Sequence, residues 1–293
     1  MTVPSSGSGQ TSYTEEPAQA EPLRSPDPAL LFEGRAARLA KLAAGSSTPD
    51  FLLLLSRIAK GQAEAVRSIP CGAVRAGGDG PPLAPEQTPR DGTWRRMLAT
   101  VLEAAKAPGL PAETQDALRR LSGAREAELE EIAGGLLAGE RAPDRVASAP
   151  FVGAALQAWF ASLATHLDPA AVRRGKPSEC PVCGSPPVAG VVQGKDRLRY
   201  LSCALCAAEW NFSRLHCTVC EKDDELAYYG VEGDEGAKAE SCARCRVYVK
   251  LFDEVKRPGA EPAADDAATL ALDLMLAEEG WRRLGPNLFV WGV

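Results

Sequence analysis

Eight of the nine cysteines stand in four Cys-x-x-Cys pairs: Cys180/Cys183, Cys203/Cys206, Cys217/Cys220 and Cys242/Cys245, with Cys71 alone. A two-residue gap lets the chain turn once so that both thiolates face one ion at about 2.3 Å, and two such turns complete a tetrahedral four-sulfur site. In a chain of 293 residues such pairs read as metal ligands, because disulfide frameworks belong to small secreted domains. Met1–Gln10 has neither the basic start nor the apolar run of a secretory signal, so the expected address is the cytoplasm, where thiols stay reduced. Four pairs suffice for two ions.

Spacing assigns the pairs. The gaps are 19, 10 and 21 residues, and a gap near 20 accommodates a β-hairpin that brings its two knuckles together. Cys180, Cys183, Cys203 and Cys206 are therefore expected to share one ion, and Cys217, Cys220, Cys242 and Cys245 a second; an interleaved pairing is the less favoured alternative. The offsets from Cys180 to Cys217 and from Cys203 to Cys242 are 37 and 39 residues, which reads as a tandem repeat. The cofactor expectation is two metal ions per chain, iron or zinc. Zinc would serve structure alone, whereas Cys180-Pro181-Val182-Cys183-Gly184 has the form of a rubredoxin knuckle and suits iron. Thioredoxin-type chemistry wants a Cys-x-x-Cys opening a helix in a βαβ unit, and none of the four has that context.

His216 is surplus beside eight thiolates and reads as a strand residue, while His166 suits the negative end of a helix. With two histidines, no Gly-x-Ser-x-Gly elbow and no phosphate loop, no catalytic constellation is visible and no enzyme is expected.

The elements that position these cysteines follow from periodicity. Val191-Val192, a turn at Gln193–Asp196 and Leu198–Leu201 read as one hairpin running on to a strand at Glu209–Phe212. Ala227–Tyr229 opens the other hairpin, and Val247–Phe252 is strand-like. Upstream the period is helical. Phe32, Ala36, Leu39 and Ala43 share a face; Thr48 and Pro49 open a helix with Phe51, Leu54, Leu55 and Ile58; Trp94, Met97, Leu98, Val101 and Ala105 form another stripe. Helices are also expected over 112–121 and 124–138, and from Pro150 with Leu156, Phe160, Leu163 and Leu167 on one side. A last helix over 263–280 carries Asp265 and Asp266 near its positive end and Ala267, Leu270, Leu274, Ala277 and Trp281 on one face. The class is α+β: a disordered tail (1–28), a helical bundle (29–168), a linker (169–179), two rubredoxin-like or zinc-ribbon modules (180–215 and 216–258), and a C-terminal helix and tail (259–293).

The 33 basic and 39 acidic residues leave a net charge of −6, the wrong sign for nucleic acid or anionic lipid. Acidic residues also outnumber basic ones across the two modules, and four thiolates around a divalent ion add about −2 per site. No stretch approaches the roughly 18 apolar residues of a membrane span. Neither nucleic acid nor membrane is an expected partner.

Several stretches together resemble one family. These are Cys180–Ser185, Leu198–Cys206 running into Glu209-Trp210, Ala239–Cys245 with Tyr248, and Ala263–Asp266 leading to Glu278–Trp281 with Asn287 and Phe289. More weakly, Arg35–Leu39 and Ala149–Gln157 fit too. From about Pro28 onward the sequence is similar to the FdhE family, the accessory proteins of formate dehydrogenase. The resemblance implies a cytoplasmic, non-catalytic factor that binds the large, molybdenum- or tungsten-cofactor subunit of formate dehydrogenase and helps it reach the active state. It also implies rubredoxin-type iron on the cysteine pairs, all eight of which match by position; a homodimer is compatible with it. One departure is Arg246, where the family often has Gly, and a bulkier residue is expected to alter that knuckle's turn. The alternatives are a rubredoxin-like electron carrier and, disfavoured by charge, a nucleic-acid-binding zinc ribbon.

Overall fold

Asp27 accepts hydrogen bonds from the backbone N–H groups of Ala29 and Leu30, and with Pro28 it starts α1 (Pro28–Ala43). This computed structural model describes residues 20–73, 80–140 and 142–291. The expected stripe Phe32, Ala36, Leu39 and Ala43 is buried. It faces α2 (Pro49–Ser68), which packs in turn on α3 (Thr93–Ala105). Thr48 precedes α2 but makes no capping bond with its side chain; Leu55 and Ile58 are buried, while Phe51 and Leu54 are only half-buried. Next come α4 (Ala112–Gly123), α5 (Glu126–Leu137) and α6 (Ala149–Ala164). The sequence expectation of a one-sided α6 is corrected: it is buried nearly all round. It carries no charged side chain, and its Gly and Ala residues let neighbours close in. A Cβ on Gly153 would lie 2.8 Å from Leu288 Cβ.

The second half is a mixed sheet. Its strands are β1 (Leu23–Arg24), β2 (Pro187–Gln193), β3 (Leu198–Cys203), β4 (Glu209–Asn211), β5 (Leu226–Tyr229), β6 (Ala237–Cys242), β7 (Val247–Asp253) and β8 (Arg282–Arg283). The order is β1-β4-β3-β2-β7-β6-β5, with β8 beside β7. Each cysteine module supplies an antiparallel set, and β2 and β7 join the sets in parallel, Gly190 opposite Leu251 and Val192 opposite Asp253. Gly190 keeps this seam close, because a Cβ would sit 2.8 Å from Leu251 Cδ2 and 3.2 Å from both Leu201 Cδ2 and Tyr200 O, so those neighbours would have to give way. The modules thus share one sheet.

Two further expectations need correction. Residues 1–19 of the expected tail lie outside the described residues, but Leu23 and Arg24 form a strand paired with Trp210 and Glu209, and Leu23 is buried. The expected helix over 263–280 is two helices, α7 (Pro262–Ala267) and α8 (Leu270–Glu278). Lys250 Nζ, from β7, donates to the carbonyl oxygens of Asp266 and Thr269 and to Thr269 Oγ1, diverting groups that a continuous helix would use. The break rotates the faces, so Leu272 and Leu276 are buried and Leu274 is exposed.

Asp265 and Asp266 do not simply face a helix dipole; both are fully buried. Arg38 binds Asp265 through Nε and Nη2 at 2.9 and 2.7 Å, with Arg257 on the same carboxylate. Arg35 binds Glu261 at 2.8 Å. Asp266 meets Lys250 at 3.0 Å, Arg283 and the Asn287 amide. These pairs tie α1 and the sheet to α7. Burial works against the Asp266 carboxylate, but the charges of Arg283 and Lys250 bring its pKa below the usual aspartate value. A depressed folded pKa stabilises above the unfolded value of about 3.9, and that stabilisation is lost as pH falls through the folded value. Asp266→Asn should therefore cost about 3–5 kcal/mol at pH 7 by urea titration, with the gap to wild type closing below about pH 4.

Candidate metal centres

All four cysteine pairs sit in the same kind of knuckle. In the first, Gly184 N–H donates to Cys180 O at 2.8 Å; Glu221 to Cys217 O and Arg246 to Cys242 O repeat that bond at 2.9 Å. In the second, the N–H groups of Leu205 and Cys206 point at Cys203 Sγ, at 3.3 and 3.4 Å. The residue after each pair is left-handed: Gly184 at φ +77°, Ala207 at +57°, Glu221 at +58° and Arg246 at +54°. Only the first is glycine. Arg246 therefore does not alter its turn as expected. Its guanidinium lies 4.3 Å from the Trp281 ring centroid and donates to Glu279 O at 2.9 Å, clamping the C-terminal segment on the knuckle.

The hairpins bring the knuckles together in the order the spacing predicts. The Sγ atoms of Cys180, Cys183, Cys203 and Cys206 lie within 4.8 Å of one another, as do those of Cys217, Cys220, Cys242 and Cys245. Cys180–Cys206 and Cys183–Cys203 are 3.6 and 3.3 Å apart, and Cys217–Cys245 and Cys220–Cys242 are 3.9 and 3.8 Å apart. Bonds of about 2.3 Å to a central ion give a tetrahedron with edges of about 3.8 Å. All nine cysteines are free thiols. Each group could hold one metal ion, two in all.

Their surroundings differ. The first four sulfurs belong to the main core, at 0–2% exposure. Gln157 on α6 donates to Ala204 O at 2.7 Å, and Leu83 N–H donates to Val182 O at 2.8 Å, so the helical half fixes both knuckles. In the second group Cys220 and Cys245 are half-buried. Burial pushes Cys180 and Cys206 well up, whereas Cys183, though equally buried, is held well below the usual thiol value by hydrogen bonds from Cys180, Cys203, Cys206 and Ser185. The same split recurs beside the half-buried pair, with Cys217 and Cys245 raised chiefly by burial and Cys220 lowered. In each group burial opposes ionisation of two thiols, Cys180 and Cys206 or Cys217 and Cys245, and a bound cation would stand in for their protons.

His216 is corrected from strand to turn; Nδ1 meets Ser213 Oγ at 2.8 Å. His166 lies just past α6, with Nε2 3.2 Å from Cys71 O. Cys71 joins neither group; burial raises its thiol above the usual value. Sequence reasoning missed Gln157, although a lone amide between Leu156 and Ala158 in an uncharged helix is a visible signal for a buried polar contact.

Comparison with known proteins decides the family. Residues 20–176 match the family model "FdhE, N-terminal", 179–214 "FdhE, central domain" and 215–290 "FdhE, C-terminal domain". The chain belongs to the FdhE family. A "Protein FdhE homolog" of Pseudomonas putida is 39% identical over 288 residues, covering 89% of this chain and 88% of the relative. One of Pectobacterium atrosepticum is 37% identical over 273 residues, covering 89% and 87%. The crystal structure of the FdhE protein from Pseudomonas aeruginosa superposes with a TM-score of 0.82 at 35% identity, covering 93% of this chain and 99% of that one. The α+β arrangement, helices first and the two tetra-cysteine groups after them, is thus that of an FdhE protein.

The burial difference makes a kinetic prediction. A chain loaded with two equivalents of zinc should release one to a chromophoric chelator at least tenfold faster than the other. Cys220→Ala should remove the fast equivalent and leave the slow one.

Proposed function

We propose that this FdhE-family protein is a non-catalytic accessory factor that binds the molybdenum- or tungsten-cofactor subunit of formate dehydrogenase in the cytoplasm and brings it to its active state. In this reading Cys180, Cys183, Cys203 and Cys206 hold one ion and Cys217, Cys220, Cys242 and Cys245 the other, each iron or zinc. The observation that carries it is family membership across the whole described chain together with thiol groups that face one another. The ion would neutralise thiolates and cross-link two knuckles; the protein's part is to bury, space and hydrogen-bond the sulfurs. Among the described residues no helix is long and apolar enough to cross a membrane.

The test is an oxygen-free affinity capture of the intact protein from its host's lysate, with partners identified by mass spectrometry. A formate dehydrogenase large subunit should be recovered. Its loss with Cys180→Ala/Cys183→Ala would tie binding to the metal region. The half-exposed Cys220→Ala/Cys245→Ala pair checks the same point where the core is left intact. Capture of a redox partner or nucleic acid instead, with that subunit expressed but not retained, would overturn the reading.

A further inference from the structure

One face of the sheet stays open where the two cysteine modules meet. A cleft of about 340 Å³ lies there, with the buried side chains of Val192 and Leu251 among its lining. Four cations, Arg197, Arg214, Lys238 and Lys256, and two carboxylates, Asp253 and Glu235, also line it. Arg197 holds Asp253 through both Nη atoms, and Lys256 holds Glu235 at 2.8 Å. Arg214 and Lys238 meet no carboxylate among the described residues and are exposed, so the cleft carries an excess of two positive charges on a chain of net charge −6.

The wall is built rather than loose. Arg199, fully buried and paired with Glu240 at 2.5 Å, donates to the carbonyls of Phe212, Ser213 and His216, which fixes the turn carrying Arg214 and Leu215. Tyr228 on β5 directs its hydroxyl at Glu240 Oε2 (2.8 Å) and Arg214 O (3.2 Å), pinning its ring. Burial and the Glu240 charge push this phenol up to about 12, so it adds no negative charge at neutral pH. Yet Leu215 and Tyr228 are 65% and 49% exposed, large apolar groups held rigid in water.

An apolar base, two exposed apolar walls and two unpaired cations suit an extended chain that offers an apolar side chain between carboxylates. A bare phosphate finds no apolar complement there, and a polyanion meets the net negative charge of the molecule. We propose that this cleft binds a short acidic peptide segment of a partner protein, its apolar side chain seated against Leu215 and Tyr228 and its carboxylates on Arg214 and Lys238. That the segment comes from the client enzyme rests on the accessory reading; the cleft itself does not.

The probes are fluorescein-labelled, capped hexapeptides with Glu or Asp flanking a central Leu or Phe, titrated by anisotropy against the full chain. The acidic peptides should bind saturably and weaken with salt. Gln/Asn counterparts and the double variant Arg214→Glu/Lys238→Glu should each bind at least tenfold more weakly, and Leu215→Ser should also lose affinity. Arg214, Lys238 and Leu215 are exposed, so metal content and circular dichroism should stay as in wild type and report any misfolding. Absence of saturable binding overturns the proposal, as does equal binding of neutral peptides or by the double variant, or preference for inorganic phosphate or a single-stranded oligonucleotide. The same double variant in the client capture separates the readings. Client retained equally by both proteins, with no peptide bound, removes the cleft and leaves the accessory role; peptide bound as expected with no client captured by wild type does the reverse.

Discussion

Four sulfur atoms within 4.8 Å of one another in the protein core set the terms for the rest of the fold. Burial there opposes ionisation of Cys180 and Cys206, while hydrogen bonds favour the thiolate of Cys183. With a cation, two knuckles from opposite ends of a hairpin become one rigid corner. The helical half is built around that corner. Gln157 reaches from α6 to a knuckle carbonyl, Leu83 bonds the other knuckle, and Trp210 Nε1 donates to Pro177 O where the chain leaves the helices. An amide and a main-chain N–H can serve a knuckle without adding a charge beside it, which suits a site that must carry its own.

The same economy of charge explains how the modules join. Parallel pairing of β2 with β7 needs a close seam, which Gly190 allows. The cations needed to attach α7 and α8 meet buried carboxylates, Arg38 and Arg257 on Asp265, and Lys250 and Arg283 on Asp266 and Asp273. Replacing such pairs with apolar residues often costs little, whereas removing one partner is expensive. Their value here is geometric. Lys250 takes main-chain carbonyls as well as carboxylates, so it fixes where α7 stops and α8 begins.

What was legible in the sequence is what depends on neighbours along the chain. The stripe from Phe32 to Ala43, the stripe from Trp94 to Ala105, both hairpins and the four knuckles have local signatures in period or spacing. The cysteine grouping was legible because a 19- or 21-residue hairpin leaves little freedom. What was not legible depends on distant partners. Two residues, Leu23 and Arg24, carry no periodicity, and only the free edge of β4 makes them a strand. The break near Thr269 is made by Lys250, and a continuous apolar pattern gives no hint of it. The parallel seam pairs residues some sixty positions apart, and the turn at His216 is held by Arg199 from another strand.

The knuckles carry one further consequence. Ala207, Glu221 and Arg246 occupy left-handed backbone that costs a non-glycine residue roughly 1–2 kcal/mol. The two groups offset this differently. Around Cys203 and Cys206 the knuckle is inside the core, with Gln157 on Ala204 O and the Ala204 N–H on Pro186 O at 3.1 Å, so packing and hydrogen bonds oppose the strain. Around Cys217, Cys220, Cys242 and Cys245 two strained residues share a shallower site, and outside their own hairpin the main clamp is Arg246 over Trp281 with its bond to Glu279 O. Fewer interactions of the protein itself hold that end in place, so an ion held there would supply a larger share of its order. The buried group is then a fixed element of the fold, and at the half-exposed group a bound ion would be most directly coupled to local conformation.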